Sequence, residues 1–212
     1  MSSLHPTISS VTDRIIDRSR DSRRRYLELI AEQATSGISR QRIDSDMGDL
    51  VRTAKRDLRR RKREFRFLHL AGPDVVGHRH GFLGPAYYDS LRRVDRLVGS
   101  VLRTARRTPR LRGHLAVIVT ADHGATRSGH SQARLLSNHR VPFIVRGPGV
   151  ARGAGLYDLN HDYANPGRRR PPYSHRRQPV RNGDLANVAL DLLGLPPVPG
   201  SEHDSRQDLD LR

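Results

Sequence analysis

The apolar positions of the chain change their spacing near residue 65. Before that point they recur at helical intervals among many charged residues, first over 11–30 and again from Asp44. In the second run Met47, Leu50, Val51, Ala54 and Leu58 share one face. The second run ends in RRRKR at 59–63, and cations suit the negative end of a helix dipole. The sequence therefore predicts polar, arginine-rich helices over residues 1–64.

After Phe65 the apolar residues form short unbroken runs instead. FRFLHL at 65–70, LAVIVT at 115–120 and VPFIV at 141–145 each predict a strand. Continuous apolar runs are typical of parallel strands that are covered on both faces. The pattern therefore favours a mostly parallel sheet.

The segments around these runs predict helices and loops. AGPDVVGHRHGFLGP at 71–85 has the Gly and Pro content of a loop. Residues 85–109 predict the clearest amphipathic helix of the chain. Residues 151–180 predict a long polar surface loop, and 183–194 a closing helix. Strands that alternate with helices in this way predict an α/β fold.

Composition limits the class of protein and the kind of site. The 212 residues suffice for one ordinary domain, although only 35% of them are hydrophobic. Cysteine is absent, so a bound metal has to be held by His, Asp or Glu. No apolar run approaches the roughly 18 residues of a membrane span, and no segment has the form of a signal peptide. We therefore expect a soluble, cytoplasmic chain, while its oligomeric state stays open.

The formal net charge of +17 admits a nucleic-acid partner. Two features weaken that interpretation. Lys55 and Lys62 are the only lysines, an arginine bias typical of GC-rich coding sequence, and the 5% of aromatic residues are not interleaved with the basic runs. A cationic surface also attracts small phosphate or sulfate esters. A small anionic phosphate ester is therefore the expected partner, with nucleic acid as the less favoured alternative.

Residues that can bind a metal follow the first two predicted strands. Asp74 and His78 stand in PDVVGH, Asp122 and His123 in TADHG, and His130 in RSGHS ahead of the third strand. Strand ends form sites in parallel sheets, and these ligand types suit divalent cations when cysteine is unavailable. Each residue can also be interpreted as an ordinary turn or surface residue. The choice of His130 stays open, because other histidines compete for its role: His139, His161, His175 and His203.

Four segments in this order resemble the alkaline phosphatase superfamily, most closely its type I phosphodiesterase/nucleotide pyrophosphatase branch, with sulfatases as neighbours. They are FLHLAGPDVVGHRHGFLGPAYYDSLRRVDRLVGSVL, VIVTADHGATRSGHS, HRVPFIVRGPGV and DLANVALDLLGLPPVPG, and they cover about residues 65–200. The resemblance implies an α/β/α sandwich with a mostly parallel sheet. It also implies a metal-dependent hydrolase of phosphate esters that works through a covalent Thr or Ser intermediate.

The resemblance further implies two divalent cations, with zinc favoured and manganese as the alternative. Asp74, His78 and His130 would bind one cation, and Asp122 and His123 the other. Two neighbouring cations suit this chemistry, because one activates the nucleophile or water while the other stabilises the leaving oxygen.

The chain departs from the family pattern upstream of Asp74. The family has an earlier strand that ends in a metal-binding Asp and is followed by the nucleophilic Thr or Ser, whereas residues 1–64 contain no apolar strand. No nucleophile is assigned, since Ser9, Ser10 and Thr12 are candidates by residue type alone. We therefore expect 1–64 to be a helical, insertion-like segment. Residues 65–212 would be the C-terminal part of an incomplete α/β domain whose second metal site lacks a ligand.

The sequence leaves open whether this chain is an active hydrolase or an inactive fragment. A basic nucleic-acid-binding module without catalysis is one alternative, and a sulfatase-like hydrolase is another. The sulfatase ranks below the phosphoesterase, because its chemistry normally needs a Cys or Ser modified to formylglycine and Cys is absent.

Overall fold

The computed structural model describes residues 42, 44–198, 201 and 209–212. The chain divides into two compact units, residues 1–44 and 45–212. The helix predicted over 11–30 lies outside the described residues. The helices and strands of the described residues all belong to the second unit.

Helix α1 (Met47–Arg60) confirms the second of the predicted polar helices. Asp46 caps its N-terminus, since the carboxylate accepts a hydrogen bond from the Asp49 backbone N–H at 2.9 Å. Two arginines occupy the last turn, where they suit the helix dipole. The buried residues of the apolar face are Met47, Val51 and Leu58.

The prediction of a loop over 71–85 is wrong for most of this segment. Helix α2 (Gly72–His80) occupies this segment, and the long helix α3 (Pro85–Arg107) follows it as the sequence predicts. Pro73 and Pro85 both lie in the first turn of a helix, where the missing proline N–H leaves no hydrogen bond unmade. The prolines therefore mark where the two helices begin rather than an absence of helix.

The strands β1 (Val117–Thr120) and β2 (Phe143–Arg146) form a two-stranded antiparallel sheet. The prediction of parallel strands is wrong for this pair. Parallel strands need a crossover connection, usually a helix, whereas the connection between β1 and β2 contains the single-turn helix α4 (Leu136–His139). Alternate residues of β2 are exposed, with Ile144 at 57%, as in a sheet with one solvated face.

The run FRFLHL at 65–70, a predicted strand, is not a strand in the described structure. A strand needs a hydrogen-bonded neighbour, and this run pairs with neither β1 nor β2. The described part of the chain is therefore mostly helical with a small sheet, as in part of an α/β domain. Among the described helices, none is both long and apolar enough to cross a membrane.

The hydrophobic core lies between the sheet and the C-terminal residues. Helix α5 (Leu156–Leu159), a 3-10 turn (Asn182–Asp184) and helix α6 (Leu185–Asp191) follow β2. The predicted surface loop over 151–180 is largely irregular, but it contributes buried residues to the interior, which its polar composition did not indicate. The residues at the centre of this core are Tyr163, Val188, Leu209 and Leu211.

Candidate metal centre

Helix α2 brings Asp74 and His78 together on one face. The two residues are four positions apart, so one turn of helix separates them, and Asp74 Oδ1 lies 3.5 Å from His78 Nε2. Asp74 stands in the first turn of α2, where the helix dipole stabilises a carboxylate. The D-x-x-x-H spacing therefore places both side chains on one face of a helix, although the sequence predicted a loop at this place.

A tight turn after β1 presents His130 to the same carboxylate. Thr126 and Gly129 exchange backbone hydrogen bonds of 3.0 and 3.1 Å, which close the turn. His130 follows directly, with its Nε2 3.5 Å from Asp74 Oδ1 and 3.0 Å from His78 Nε2. Asp74, His78 and His130 therefore form a cluster in which one ligand atom of each lies within 4.8 Å of the others.

His123 reaches the edge of this cluster from the end of β1. Its Nε2 lies 3.9 Å from Asp74 Oδ1, and its ring stacks on that of His130 with centroids 3.8 Å apart. Its Nδ1 lies 2.9 Å from the carbonyl oxygen of Gly124, so Nδ1–H donates to that carbonyl. The neutral ring then carries its free lone pair on Nε2, the atom that faces Asp74.

Gly124 allows α4 to approach the end of β1 closely. Its N–H donates to the Asn138 carbonyl at 2.9 Å. A Cβ at this position would lie 2.0 Å from the carbonyl oxygen of Ser137 and 2.8 Å from that of Arg140. The glycine that ends TADHG is therefore required by a backbone contact rather than by a turn.

Asp122 lies beside His123 and is not one of the three residues whose ligand atoms cluster together. Its side chain is 75% exposed, and its Oδ2 lies 3.6 Å from His123 Nε2. Its backbone is held by Asn182, whose side-chain Nδ2 donates to the carbonyls of Ala121 at 3.1 Å and Asp122 at 2.9 Å. Sequence analysis did not find Asn182, because no local pattern links residues so far apart in the chain.

The donor set fits a divalent cation. Asp74 Oδ1 is buried and accepts no hydrogen bond within the described residues, and a buried carboxylate oxygen without a partner is costly. The separations of 3.5, 3.5 and 3.0 Å between the three ligand atoms bracket the roughly 3.3 Å edge of a tetrahedron with zinc bonds of about 2.0 Å. Burial, followed by the neighbouring His123, lowers the pKa of His130 and favours the neutral imidazole that binds metals.

Comparison with known proteins identifies the family. The sequence profile described as type I phosphodiesterase / nucleotide pyrophosphatase matches residues 7–188. The chain belongs to this family. The family lies within the alkaline phosphatase superfamily and is typically metal-dependent, and the cluster of Asp74, His78 and His130 supplies a possible metal site. The resemblance stated from the sequence is thereby confirmed.

Curated relatives of this type I phosphodiesterase family member cover part of the chain. GPI ethanolamine phosphate transferase 1 of Mus musculus is 28% identical over 132 residues, which are 61% of this chain and 14% of the relative. The transferase 1 of Neurospora crassa is 37% identical over 86 residues, 41% of this chain and 8% of the relative. Ectonucleotide pyrophosphatase/phosphodiesterase family member 7 of Homo sapiens is 35% identical over 75 residues, 35% of this chain and 16% of the relative.

The chain spans less than a fifth of the length of each of these relatives. No solved structure matches the chain at a significant level. The family is therefore shown by the sequence, and the fold description depends on the described residues alone.

An aromatic residue that sequence analysis missed supports the histidines of this family member. The buried Phe82 packs edge-on against His78 and His130, with ring centroids 5.2 and 5.6 Å apart. Gly77 makes room for it, since a Cβ there would lie 2.4 Å from the Phe82 ring. Tyr87 also packs against Phe82, with ring centroids 5.6 Å apart. Burial, followed by the Asp74 carboxylate, raises the pKa of Tyr87. The apolar wall limits the rotation of both imidazoles.

The competing histidines differ from His130 in their contacts. His139 Nε2 lies 2.6 Å from the Ala133 carbonyl, and His175 Nδ1 lies 2.9 Å from the Arg177 carbonyl. His161 is exposed and does not join the cluster found in the described residues. His203 lies outside the described part of the chain. Ser9, Ser10 and Thr12, which are nucleophile candidates by residue type alone, also lie outside it.

Proposed function

We propose that this chain carries the zinc-binding part of an active site that hydrolyses phosphate esters, with Asp74, His78 and His130 as ligands of one cation. The observation that supports this most directly is the buried Asp74 oxygen, which has imidazole nitrogens at 3.5 Å and no hydrogen-bond partner among the described residues. Zinc suits a site of one carboxylate and two imidazoles without thiolates, and manganese is the alternative.

We further propose that Asp122 and His123 hold a second cation beside the first. The exposed Asp122 carboxylate and the free Nε2 of His123, 3.6 Å apart, support this assignment, and the short reach of His123 to Asp74 would bring the two cations close together. A pair of cations, when bound, clamps the attacking and leaving oxygens of a phosphoryl group. The chain's own residues would hold the first of these cations: α2 fixes Asp74 and His78, and the Thr126–Gly129 turn fixes His130.

The proposed substrate class is an anionic phosphate ester. The relatives are named as an ethanolamine phosphate transferase and an ectonucleotide pyrophosphatase/phosphodiesterase, and both names describe chemistry on phosphate groups. The surplus of arginine would attract such anions.

Zinc binding and hydrolysis test the proposal separately. Zinc affinity is measured by competition with a chromophoric chelator for the wild-type chain, for Asp74→Asn and for Asp95→Asn, an exposed carboxylate on α3 as the matched control. We expect Asp74→Asn to abolish tight binding and Asp95→Asn to retain it. Equal zinc affinity in all three chains would overturn the site.

Hydrolysis is then followed with a chromogenic phosphodiester in the presence of zinc or manganese. A rate above background that Asp74→Asn removes would support the proposed activity. A background rate in a chain that binds zinc would overturn hydrolysis by this chain while leaving the metal site intact.

A further inference from the structure

A basic groove runs between the C-terminal halves of α1 and α3, away from the metal centre. It encloses about 340 Å³. Tyr87, which lies beside the metal-site residue Asp74, and Arg103 in the groove are separated by roughly 24 Å along the axis of α3. The cations that line the groove are Lys55 and Arg59 of α1 and Arg103 and Arg107 of α3.

The four cations that line the groove come as two pairs, one on each helix. Lys55 and Arg59 are four residues apart on α1, and Arg103 and Arg107 are four apart on α3, so each pair lies on one helix face. Like charges at this spacing destabilise a helix. The groove therefore concentrates positive charge from two helices at a cost that an anion bound in the groove would relieve.

The three hydroxyl groups that line the groove do not supply further hydrogen-bond donors to a ligand. Ser100 Oγ donates to the Leu97 carbonyl at 2.7 Å, and Thr104 Oγ1 donates to the Ser100 carbonyl at 3.0 Å. Thr108 Oγ1 likewise donates to the Thr104 carbonyl at 2.8 Å. The ammonium and guanidinium groups are therefore the donors that the groove offers to a ligand.

The helix dipoles account for the position of two of the four groove cations. Arg59 and Arg107 stand in the last turn of their helices, where cations are favourable. Lys55 and Arg103 lie further inside, beyond the reach of that effect. Other cations of the same helices meet carboxylates, as Arg93 does with Asp46 at 3.0 Å, whereas no carboxylate among the described residues lies within ion-pair distance of the four groove cations.

We infer that this groove binds a small anion that carries two or more linked phosphoryl groups. Two pairs of cations, one on each wall helix of the groove, match a chain of phosphoryl groups better than a single ion, and arginine pairs with phosphoryl oxygens in a bidentate manner. A nucleic acid fits less well, because no aromatic side chain lines the groove to stack on a base. The inference does not depend on the function proposed for the metal centre.

Calorimetric titration of the full chain with inorganic tripolyphosphate tests this inference. The double variant K55Q/R103Q removes two groove cations, and R60Q/R106Q removes two cations from the same helices that do not line the groove. The two variants have the same net charge. We expect K55Q/R103Q to weaken tripolyphosphate binding about tenfold or more, since two exposed ion pairs are lost, and R60Q/R106Q to change it less than twofold.

Three further outcomes complete the test. Asp74→Asn should bind tripolyphosphate as the wild type does, which would support a site separate from the metal centre, while loss of binding in that variant would overturn it. Equal weakening in the two double variants would show attraction by net charge alone and overturn the groove. Orthophosphate and a DNA oligonucleotide are titrated in the same way. If either binds as tightly as tripolyphosphate, with the same dependence on Lys55 and Arg103, the groove is not selective for linked phosphoryl groups and the inferred ligand class is wrong.

Discussion

The imidazole of His123 stacks on that of His130, with ring centroids 3.8 Å apart and ring planes 18° from parallel. The resemblance to the family implies that these residues bind two different cations, and the structure brings both rings to the same carboxylate, at 3.9 Å and 3.5 Å from Asp74 Oδ1. His130 is the closer of the two to Asp74 and also contacts His78 at 3.0 Å. Their contributions to metal binding should therefore be unequal.

We predict that His130→Ala weakens zinc binding more than His123→Ala does. For the cation held by Asp74, His78 and His130, His123→Ala should lower zinc affinity by no more than roughly 10–100-fold, because His123 is proposed as a ligand of the other cation and only stacks on His130. His130→Ala should exceed that loss. Chelator competition measures both affinities. His139→Ala is the control, because its Nε2 contacts the Ala133 carbonyl outside the cluster. Equal losses for His130→Ala and His139→Ala would contradict the assignment of His130.

Gly124→Ala should destabilise the fold and disturb His123. The new Cβ would lie 2.0 Å from the Ser137 carbonyl oxygen, so the backbone of α4 or of the strand end has to move, at a cost of about 1–3 kcal/mol. Urea unfolding gives the free energy of unfolding. Gly99→Ala is the matched control: its Cβ meets only the flexible Arg103 guanidinium at 3.3 Å, and removing a glycine from a helix interior should stabilise by about 1 kcal/mol. The prediction fails when both substitutions shift stability in the same direction.

Phe82→Leu should weaken zinc binding by roughly 10–100-fold, because Phe82 packs on both His78 and His130. The free energy of unfolding of the metal-free chain should fall by less than about 1.5 kcal/mol, since leucine retains most of the apolar volume. Zinc affinity and urea unfolding are measured on the same preparation. Phe67→Leu, at a side chain that is 75% exposed, should alter neither. Unchanged zinc affinity in Phe82→Leu would show that the ring does not position the histidines.

Asn160→Ala should detach the C-terminal residues from the core. The Asn160 side chain is buried, donates to the carbonyls of Leu156 and Asp210 at 2.8 and 2.9 Å, and accepts from the Asp210 N–H at 2.7 Å. Removing it leaves buried backbone groups unpaired, at about 1–3 kcal/mol. Hydrogen exchange of residues 209–212 should also accelerate. Asn165→Ala is the control. The exposed Asn165 accepts from the nearby Gly167 N–H at 3.0 Å, so its replacement should lower the free energy of unfolding by less.

Stability should become sensitive to alkaline pH through Tyr157. Burial is the main cause that raises the pKa of this phenol above its usual 10.0, and its oxygen accepts a hydrogen bond from the Val180 N–H at 3.2 Å. A raised pKa in the folded state means that the fold favours the neutral phenol. The stability it contributes is fully present below the unfolded pKa near 10.0 and is lost as the pH rises through the folded pKa.

Melting temperatures of the wild type and Tyr157→Phe across the alkaline range check this prediction. Below the usual tyrosine pKa the wild type should be the more stable, by about 0.5–1.5 kcal/mol for the lost hydrogen bond. Above the usual tyrosine pKa the stability difference between the two chains should shrink. In the wild type the phenol ionises more readily in the unfolded chain than in the folded one, and the phenylalanine of the variant has no proton to lose. A difference that stays constant with pH would contradict the raised pKa.

The sequence by itself determined the parts of this protein that depend on neighbours along the chain. The helical period of 3.6 residues indicated α1 and α3, and the apolar run before TADHG indicated β1. The residue types and order of PDVVGH, TADHG and RSGHS indicated the family and its ligand candidates. These features are readable because hydrophobic spacing and short motifs are local properties of a sequence.

Only the tertiary structure decided which of these local features meet. The direction of β2 against β1 depends on the path of the whole connection, and α2 formed where Gly and Pro content suggested a loop. His78 and His130 are 52 residues apart and touch through their ring nitrogens. Phe82 behind them carries no motif at all. Such contacts depend on how buried surfaces pack and on which polar groups must be paired once water is excluded. The spacing of residues along the chain determines neither of these.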